Sequence, residues 1–577
     1  MEQVVAFAQQ LHESVLPAWF MPRPAHPFLD YGLTQSLSEA SGVPEPSLRL
    51  LLTVLAGYPI SIVYRLIFLN KTSTIIGEHA RNWFLVVMGL LMSYYFNSLD
   101  IIHPLTTAIG TWLICKTVGM VAPRNRALAA STSFVFNFGY LLTSYKYAAT
   151  EEYDICYTMQ QCVQCLRMIG YAMDFMDGQP KSKKEKPSST GSGNGSVGDG
   201  GGVVAPSSVA PEEKNAAAVV APPAAVAQAP VPREKTPISF GRDIALGQLP
   251  TLPETIAYAF FPFAFLVGPQ FSFSLYKKFI TMDLFAVPIP ATAGKEEVDA
   301  ATRATANGVI PQGSLRYATR CFFLGVFYLA LGQVLAGFFP TVALLGKDYV
   351  VRPMPEKLFI FWWTGKTILN KYLGIWTIAE GPCVLSGLTF NGYDQQGRPE
   401  WDGLRNVNPL GYEFATSLAQ IITSFNMNTN HWAKLYVFKR LRFLGNKNLS
   451  ALGVLLFLAV WHGTHPGYFI CFGLEFLDME TERRLRLRIG KPVQQWLEKK
   501  QGAVGKVLRA VWATFTWALT TSALYFACIP FDLLQFDKSM TAMRAIHFAG
   551  FWVMAVLLFS DVFLSVVMPK KKKSKSE

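Results

Sequence analysis

Apolar runs long enough to cross a bilayer recur along most of this chain, and they constrain its fold more than any other feature. A membrane-spanning helix needs about 20 mostly apolar residues. Only 16% of the 577 residues are charged, whereas soluble proteins average about 25%. The candidate spans are residues 48–69, 82–97, 100–122, 127–146, 155–175, 255–275, 316–345, 357–378, 411–425, 450–478, 508–530 and 543–567. The sequence therefore predicts an all-α, polytopic helical membrane protein with about 11 transmembrane helices. The short alternating segments of a β-barrel are absent from the sequence.

One segment, residues 179–240, differs in composition from the rest of the chain. It is rich in Gly and Ser and then in Ala, Pro and Val, and it cannot bury enough apolar surface to offset the entropy of ordering. We expect a disordered low-complexity loop there. It separates N-terminal membrane helices at 1–178 from a membrane core at 241–568, and a basic tail at 569–577 follows.

The net charge of +13 is concentrated in short basic clusters beside the apolar runs. The clusters are Lys181–Lys186, Lys434–Arg442, Arg483–Arg488 and Lys570–Lys575. Such clusters usually face the cytosol and attract anionic lipids. A purely topological role and an additional role in recruiting a polyanionic substrate both remain open.

The C-terminal sequence "PKKKKSKSE" resembles the K-x-K-x-x signal for retrieval to the endoplasmic reticulum, with Lys573 and Lys575 at the two lysine positions. A solubilising basic tail is the alternative interpretation, and both place the C-terminus in the cytosol. We expect a multi-pass protein of the endoplasmic reticulum membrane.

His462 lies inside the apolar stretch "LLFLAVWHGTHPGYFICFGLEFL". An ionisable side chain at membrane depth is costly and normally faces a polar interior. Burial favours the neutral imidazole, which can accept a proton and so suits a general base. A histidine that only hydrogen-bonds across helices is the alternative.

The neighbours of His462 favour a functional role. Gly463, Pro466 and Gly467 remove side-chain bulk or kink the helix, which leaves room for a ligand. His465 follows three residues later, and both histidines could share one helical face. We predict no metal site, because helical zinc motifs space their histidines by four and include a Glu.

Two further polar stretches interrupt the apolar pattern. In "TSFNMNTNHWAKLYVFKRLRFLGNK", Asn426 and Asn430 are predicted to share a helical face just before a basic, aromatic amphipathic helix. Hydrogen bonding between helices is the alternative role for these buried amides. The stretch "LSGLTFNGYDQQGRPEWDGLRNVNP" is predicted to be a loop, and its Trp401-Asp402 pair looks too specific for a spacer.

Four motifs together resemble the membrane-bound O-acyltransferase family, and within it the lysophospholipid acyltransferase branch. They are "FNGYD…PEWDGLRNVN", "SFNMNTNHWAKLYVFKRL", "LGNKNLS" and "LAVWHGTHPGYFICF". The resemblance implies helices around a buried catalytic chamber, with residues 241–568 as the catalytic core. It assigns the active-site histidine to His462 and the upstream asparagine to Asn426, which is 462 − 426 = 36 residues earlier. Asn428 and Asn430 compete for the asparagine role.

The resemblance also implies a reaction. A fatty acyl group, unsaturated in the most similar relatives, passes from acyl-CoA to the sn-2 hydroxyl of lysophosphatidylcholine, and also of lysophosphatidylserine or lysophosphatidylethanolamine. Acyl-CoA is a co-substrate and no cofactor is expected. The partners are acyl-CoA, lysophospholipid and membrane lipids, without nucleic acid. The expected substrate-binding residues are Trp401, Asp402, Asn428, Asn430, Trp461, His465, Lys434, Lys439, Arg440 and Arg442.

Two alternatives remain open. An enzyme of the same fold could use a sterol, a diacylglycerol or a protein as acceptor. A transporter would place related broken helices in two matched halves, and the sequence shows no such duplication.

Overall fold

The structure is a computed structural model that describes residues 15–24, 29, 31–69, 77–152, 154–179, 238–241, 243–286, 294–296 and 310–567. Within these residues the fold is entirely helical, and the one β-type pairing is an isolated bridge between Tyr393 and Pro399. The basic tail and nearly all of the predicted loop at 179–240 lie outside the described residues. Ile238–Phe240, at the end of that predicted loop, instead form a 3₁₀ turn.

The helices before the low-complexity segment are mostly long. They are α1 (Leu16–Phe20), α2 (Gly32–Ser41), α3 (Glu45–Phe68), α4 (Glu78–Asn97), α5 (Ile102–Val121), α6 (Arg126–Ala148) and α7 (Tyr157–Asp177), with a 3₁₀ turn at Ser98–Ile101.

The helices after that segment vary more in length. They are α8 (Leu252–Ala259), α9 (Phe273–Thr281), α10 (Ser314–Phe338), α11 (Lys347–Val350), α12 (Met354–Ser386), α13 (Pro409–Glu413), α14 (Leu418–Ser424), α15 (Met427–Ala433), α16 (Lys447–His462), α17 (Pro466–Leu485), α18 (Lys491–Glu498), α19 (Gly502–Leu533), α20 (Phe536–Ala545) and α21 (Ala549–Val567). Tighter or wider turns occur at Asp283–Phe285, Thr341–Leu345, Lys434–Phe438, Arg440–Leu444 and Arg486–Gly490.

Four helical stretches among the described residues are long and apolar enough to cross a membrane. They are Glu45–Phe68, Glu78–Val121, Ser314–Leu345 and Ala549–Val567, and the shorter α16 is also apolar. The predicted all-α membrane fold is confirmed, whereas the predicted number of about 11 spans is not. Other long helices are less apolar because they carry buried polar residues. In α7, for example, Gln161 and Gln164 both donate to Thr107 of α5.

The predicted span at 255–275 is wrong. Helix α8 ends at Ala259, and irregular backbone continues to the start of α9 at Phe273. Pro262 and the Gly268-Pro269 pair interrupt any helix there. The residues of 255–275 are nevertheless almost fully buried. Their burial is tolerated because Arg167 of α7 donates to four of their carbonyls, those of Tyr258, Ala259, Ala264 and Pro269.

The predicted span at 411–425 is also wrong, since two short helices, α13 and α14, occupy it. Their starts are defined by side-chain caps. Asn408 accepts from the Gly411 N–H, and Ser417 accepts from the Gln420 N–H. Cap residues stabilise new helix starts rather than one continuous span.

Helix α12 is central to the second half of the molecule. It packs along α10, α3 and α19, and α19 in turn packs on α17. Helices α5, α6 and α7 form a second packed group that contacts α16. The two groups bring distant parts of the chain around one internal space.

Candidate active site

The apolar stretch that carries His462 is broken in the structure. His462 is the last residue of α16, and His465 precedes the first residue of α17. Gly463 between them has φ of 141°, a conformation that L side chains rarely adopt. The predicted helical face shared by His462 and His465 therefore does not form, although both residues line the same cavity.

Neighbouring helices hold this break in place. The Gly467 N–H donates to the Leu534 carbonyl at 2.6 Å, and a Cβ on Gly467 would lie 2.1 Å from the Pro530 carbonyl oxygen. On the other side, Trp461 Nε1 donates to the Cys162 carbonyl, and the Trp461 carbonyl accepts from the Tyr145 hydroxyl. The backbone at His462 is thereby fixed between α7 and α19.

The His462 ring is enclosed by aromatic side chains. Its centroid lies 5.0 Å from the ring of Phe531, 5.5 Å from Phe472 and 5.7 Å from Tyr468. No residue in the described part of the chain hydrogen-bonds to the imidazole, and the side chain lines a cavity of about 860 Å³. Its ring nitrogens are thus available to a ligand in the cavity.

Asn426 lines the same cavity from a different element. It occupies the position before α15 with φ of 49° and makes no side-chain capping hydrogen bond, so the predicted helical face shared with Asn430 does not form. An asparagine tolerates this left-handed conformation better than most residues. Its Oδ1 accepts one long bond of 3.4 Å from Asn406 Nδ2, which leaves most of the amide's hydrogen-bonding capacity for a ligand.

The other two asparagines hold the protein backbone. Asn428 is fully buried, and its Nδ2 donates to the carbonyls of Leu404 and Arg405 at 3.0 and 3.2 Å. Asn430 reaches the cavity wall, and its Nδ2 donates to the carbonyls of Ile422 and Phe425 at 3.0 Å each. Of the three competing asparagines, Asn426 is the one whose amide is least engaged by the protein.

Some of the predicted binding residues lie elsewhere. Trp461 and His465 line the cavity, whereas Trp401 and Asp402 do not. Trp401 is buried and donates to the Gln312 carbonyl, and Asp402 accepts from Asn391. These two residues stabilise the predicted loop, which the structure confirms as largely irregular backbone between α12 and α13.

The basic segment also lies outside the lining of the cavity. The predicted amphipathic helix is a π turn at Lys434–Phe438 followed by a 3₁₀ turn at Arg440–Leu444. Arg440 forms an ion pair with Asp177, with 2.9 Å between Nη1 and Oδ1. Binding of a polyanion by Lys434, Lys439, Arg440 and Arg442 stays a prediction.

The structure adds lining residues that the sequence analysis missed. Asn406 belongs to an Asn-Val-Asn motif and was detectable as an unusual polar stretch, whereas Lys371, Glu475 and Asp532 lie in ordinary helical sequence. No group of three or more His, Cys, Asp or Glu side chains within the described ranges is arranged to hold a metal. A second cavity of about 830 Å³ lies between α17, α19 and α21 and contains none of the predicted site residues.

Fold and site together define a multi-pass helical membrane protein with a histidine and an asparagine facing one internal cavity. Residues 239–491 match the sequence profile of the membrane-bound O-acyltransferase family. The chain is 30% identical to lysophospholipid acyltransferase 5 of Homo sapiens over 540 residues, which is 93% of each protein. It is 31% identical to the Bos taurus protein of that name over 95% of each chain. A lysophospholipid acyltransferase of Schizosaccharomyces pombe is 28% identical over 54% of this chain and 58% of its own length. The chain belongs to the membrane-bound O-acyltransferase family.

Proposed function

We propose that this protein transfers a fatty acyl group from acyl-CoA to the free sn-2 hydroxyl of a lysophospholipid. The observation that carries the proposal is the placement of His462 and Asn426, from separate elements, in the wall of one cavity of about 860 Å³. The names of the relatives support a lysophospholipid as the acceptor class.

In the proposed reaction His462 accepts the proton of the acceptor hydroxyl while its oxygen attacks the thioester carbonyl. The new ester C–O bond forms as the C–S bond breaks. The departing thiolate then takes the proton from His462 and leaves as free coenzyme A. The Asn426 amide donates to the developing oxyanion or orients the hydroxyl.

The shape of the cavity supports two lipid-like substrates. Its walls are mostly apolar, and its lining comes from elements as distant in sequence as α3 and α19. An apolar chamber accommodates the acyl chains of both substrates. It also limits the water that would hydrolyse the thioester.

The acceptor species, the acyl donor and the location are proposed from the sequence. We propose lysophosphatidylcholine as the main acceptor, an unsaturated acyl donor and a role in phospholipid remodelling. The proposed location is the endoplasmic reticulum membrane with a cytosolic C-terminus, which agrees with the Lys573 and Lys575 pattern. The basic segment from Lys434 to Arg442 is the proposed contact for coenzyme A phosphates.

The test offers labelled acyl-CoA to the purified protein with four acceptor classes in parallel: lysophospholipids, a sterol, a diacylglycerol and a peptide. The proposal expects labelled phospholipid as the main product. A labelled sterol ester, triacylglycerol or peptide as the main product would overturn the acceptor assignment and leave the acyltransferase class intact. Absence of transfer to every acceptor would overturn the enzyme itself.

A further inference from the structure

An ion pair lies in the wall of the cavity that contains His462. Lys371 Nζ of α12 is 2.8 Å from Asp532 Oδ1 of α19, and the Thr341 hydroxyl donates to Asp532 Oδ2 at 2.6 Å. All three residues line the cavity. The Lys371 and Asp532 side chains are 44% and 21% exposed, so a ligand can reach both charges.

The charges of the lining are unbalanced. Lys371 is the one lysine or arginine among the described lining residues, which also include the carboxylates of Glu152, Asp154 and Asp532. A phosphate group in this cavity therefore has a single permanent cation to bind. An acceptor head group with net negative charge is disfavoured by the surrounding carboxylates, whereas one that contains a cationic group is favoured.

The pair shares its cavity with His462 and has aromatic side chains beside it. Asp532 directly follows Phe531, whose ring lies 5.0 Å from that of His462. Tyr372, next to Lys371, and Phe339 line the same cavity, and Lys371 Nζ lies 5.3 Å from the Tyr372 ring. A carboxylate beside aromatic rings is a favourable environment for a quaternary ammonium group.

We propose that Lys371 and Asp532 form the head-group subsite of the acceptor. Lys371 binds the phosphate, and Asp532 binds the cationic nitrogen of a zwitterionic head group. Without a ligand the two charges neutralise each other, and a zwitterion replaces each partner with a matching charge. The inference rests on the proposed function, and it predicts that zwitterionic lysophospholipids are preferred to those with net negative charge.

The test compares kcat/KM for lysophosphatidylcholine and lysophosphatidylglycerol that carry the same acyl chain. Asp532→Asn is expected to lower the preference for lysophosphatidylcholine about tenfold, because only that acceptor has a cationic nitrogen. Lys371→Met is expected to lower kcat/KM about tenfold for both acceptors, because both contain the phosphate.

Lys366→Met is the matched control. Lys366 lies on the same helix and pairs with Glu413 at 2.5 Å outside the cavity lining, so the preference should not change.

A charge-swapped variant separates recognition from a structural role. Lys371→Asp combined with Asp532→Lys restores a bridge between α12 and α19, and it should recover the unfolding temperature that the single variants lose. The phosphate and the nitrogen would exchange positions in that variant, which displaces the hydroxyl from His462, so kcat/KM for lysophosphatidylcholine should stay low.

An unchanged acceptor preference in Asp532→Asn, or full activity in the swapped variant, would overturn the head-group subsite while leaving the proposed function intact. Failure of the wild-type protein to acylate any lysophospholipid would instead overturn the proposed function, and the subsite with it.

Discussion

At the scale of single residues, neighbouring asparagines in one short segment have different tasks. Asn428 and Asn430 use their amides to hold backbone carbonyls, and Asn426 has one long contact to Asn406. A buried amide that holds the backbone contributes to stability. An amide that faces a cavity is instead available for chemistry.

The asparagines should therefore respond differently to substitution. Asn426→Gly removes the amide but keeps the left-handed backbone, so we expect normal unfolding and a fall in kcat of about 10²- to 10³-fold. Asn428→Ala should lower the free energy of unfolding by about 1–3 kcal/mol, because it leaves buried carbonyls unpaired. Thermal unfolding in detergent and steady-state kinetics measure the two effects. A fully active Asn426→Gly protein would rule out a chemical role for Asn426.

Much of the candidate site could be predicted from sequence at this scale. His462 is conspicuous because an ionisable group is rare in so apolar a stretch. The Lys371–Asp532 pair could not be predicted, because its members lie 161 residues apart and each is ordinary in its own helix. Only the packing of α12 against α19 brings them together.

At the scale of elements, the break between α16 and α17 positions His462. Gly463, Pro466 and Gly467 indicated a kink in the sequence, and the structure shows a complete break at Gly463. The close approach of α17 to the end of α19 at Gly467 keeps the break in one geometry.

Substitutions of two glycines in α17 test this arrangement. Gly467→Ala places a Cβ 2.1 Å from the Pro530 carbonyl oxygen, and we expect a loss of about 1–3 kcal/mol in the free energy of unfolding together with reduced activity. Gly473→Ala is the control, since nothing lies within 4 Å of its added Cβ. It should stabilise the protein by up to about 1 kcal/mol. Equal unfolding temperatures for the two variants would contradict the close approach at Gly467.

Substitution of Arg167 tests how the irregular backbone between α8 and α9 is stabilised. Hydropathy predicted a single span at 255–275 because the segment is apolar. A segment buried inside the protein and a segment buried in lipid can have the same amino-acid composition, so hydropathy does not distinguish them. Irregular backbone is tolerated at such depth only where the protein satisfies its polar groups.

We expect Arg167→Met to prevent recovery of folded protein, because each of the four carbonyls that lose their donor costs about 1–3 kcal/mol. Arg167→Lys keeps the charge but not the planar fork, so it should rescue only part of the stability. Size-exclusion profiles and thermal unfolding in detergent report on both variants. A monodisperse Arg167→Met protein with the wild-type unfolding temperature would show that these bonds are dispensable.

At the scale of the whole molecule, the cavity that contains His462 is assembled from helices on both sides of the low-complexity segment. Sequence periodicity and hydropathy predicted the helical class and most long helices, because those depend on local composition. The number of spans could not be predicted, since helices such as α7 carry buried polar residues that are satisfied only by neighbouring helices. The shape of the cavity depends on the same long-range packing.

The most direct test of the central claim measures acyl transfer from acyl-CoA to lysophosphatidylcholine by purified wild-type, His462→Ala and His465→Ala proteins. Both histidines line the cavity, so the second variant controls for the loss of an imidazole from the wall. The account predicts that His462→Ala unfolds at the wild-type temperature and loses at least about 10²-fold in kcat. His465→Ala, at an expected substrate-binding residue, should raise KM and lose less than about tenfold in kcat. A well-folded His462→Ala protein with wild-type activity would contradict the assignment of His462 as the general base.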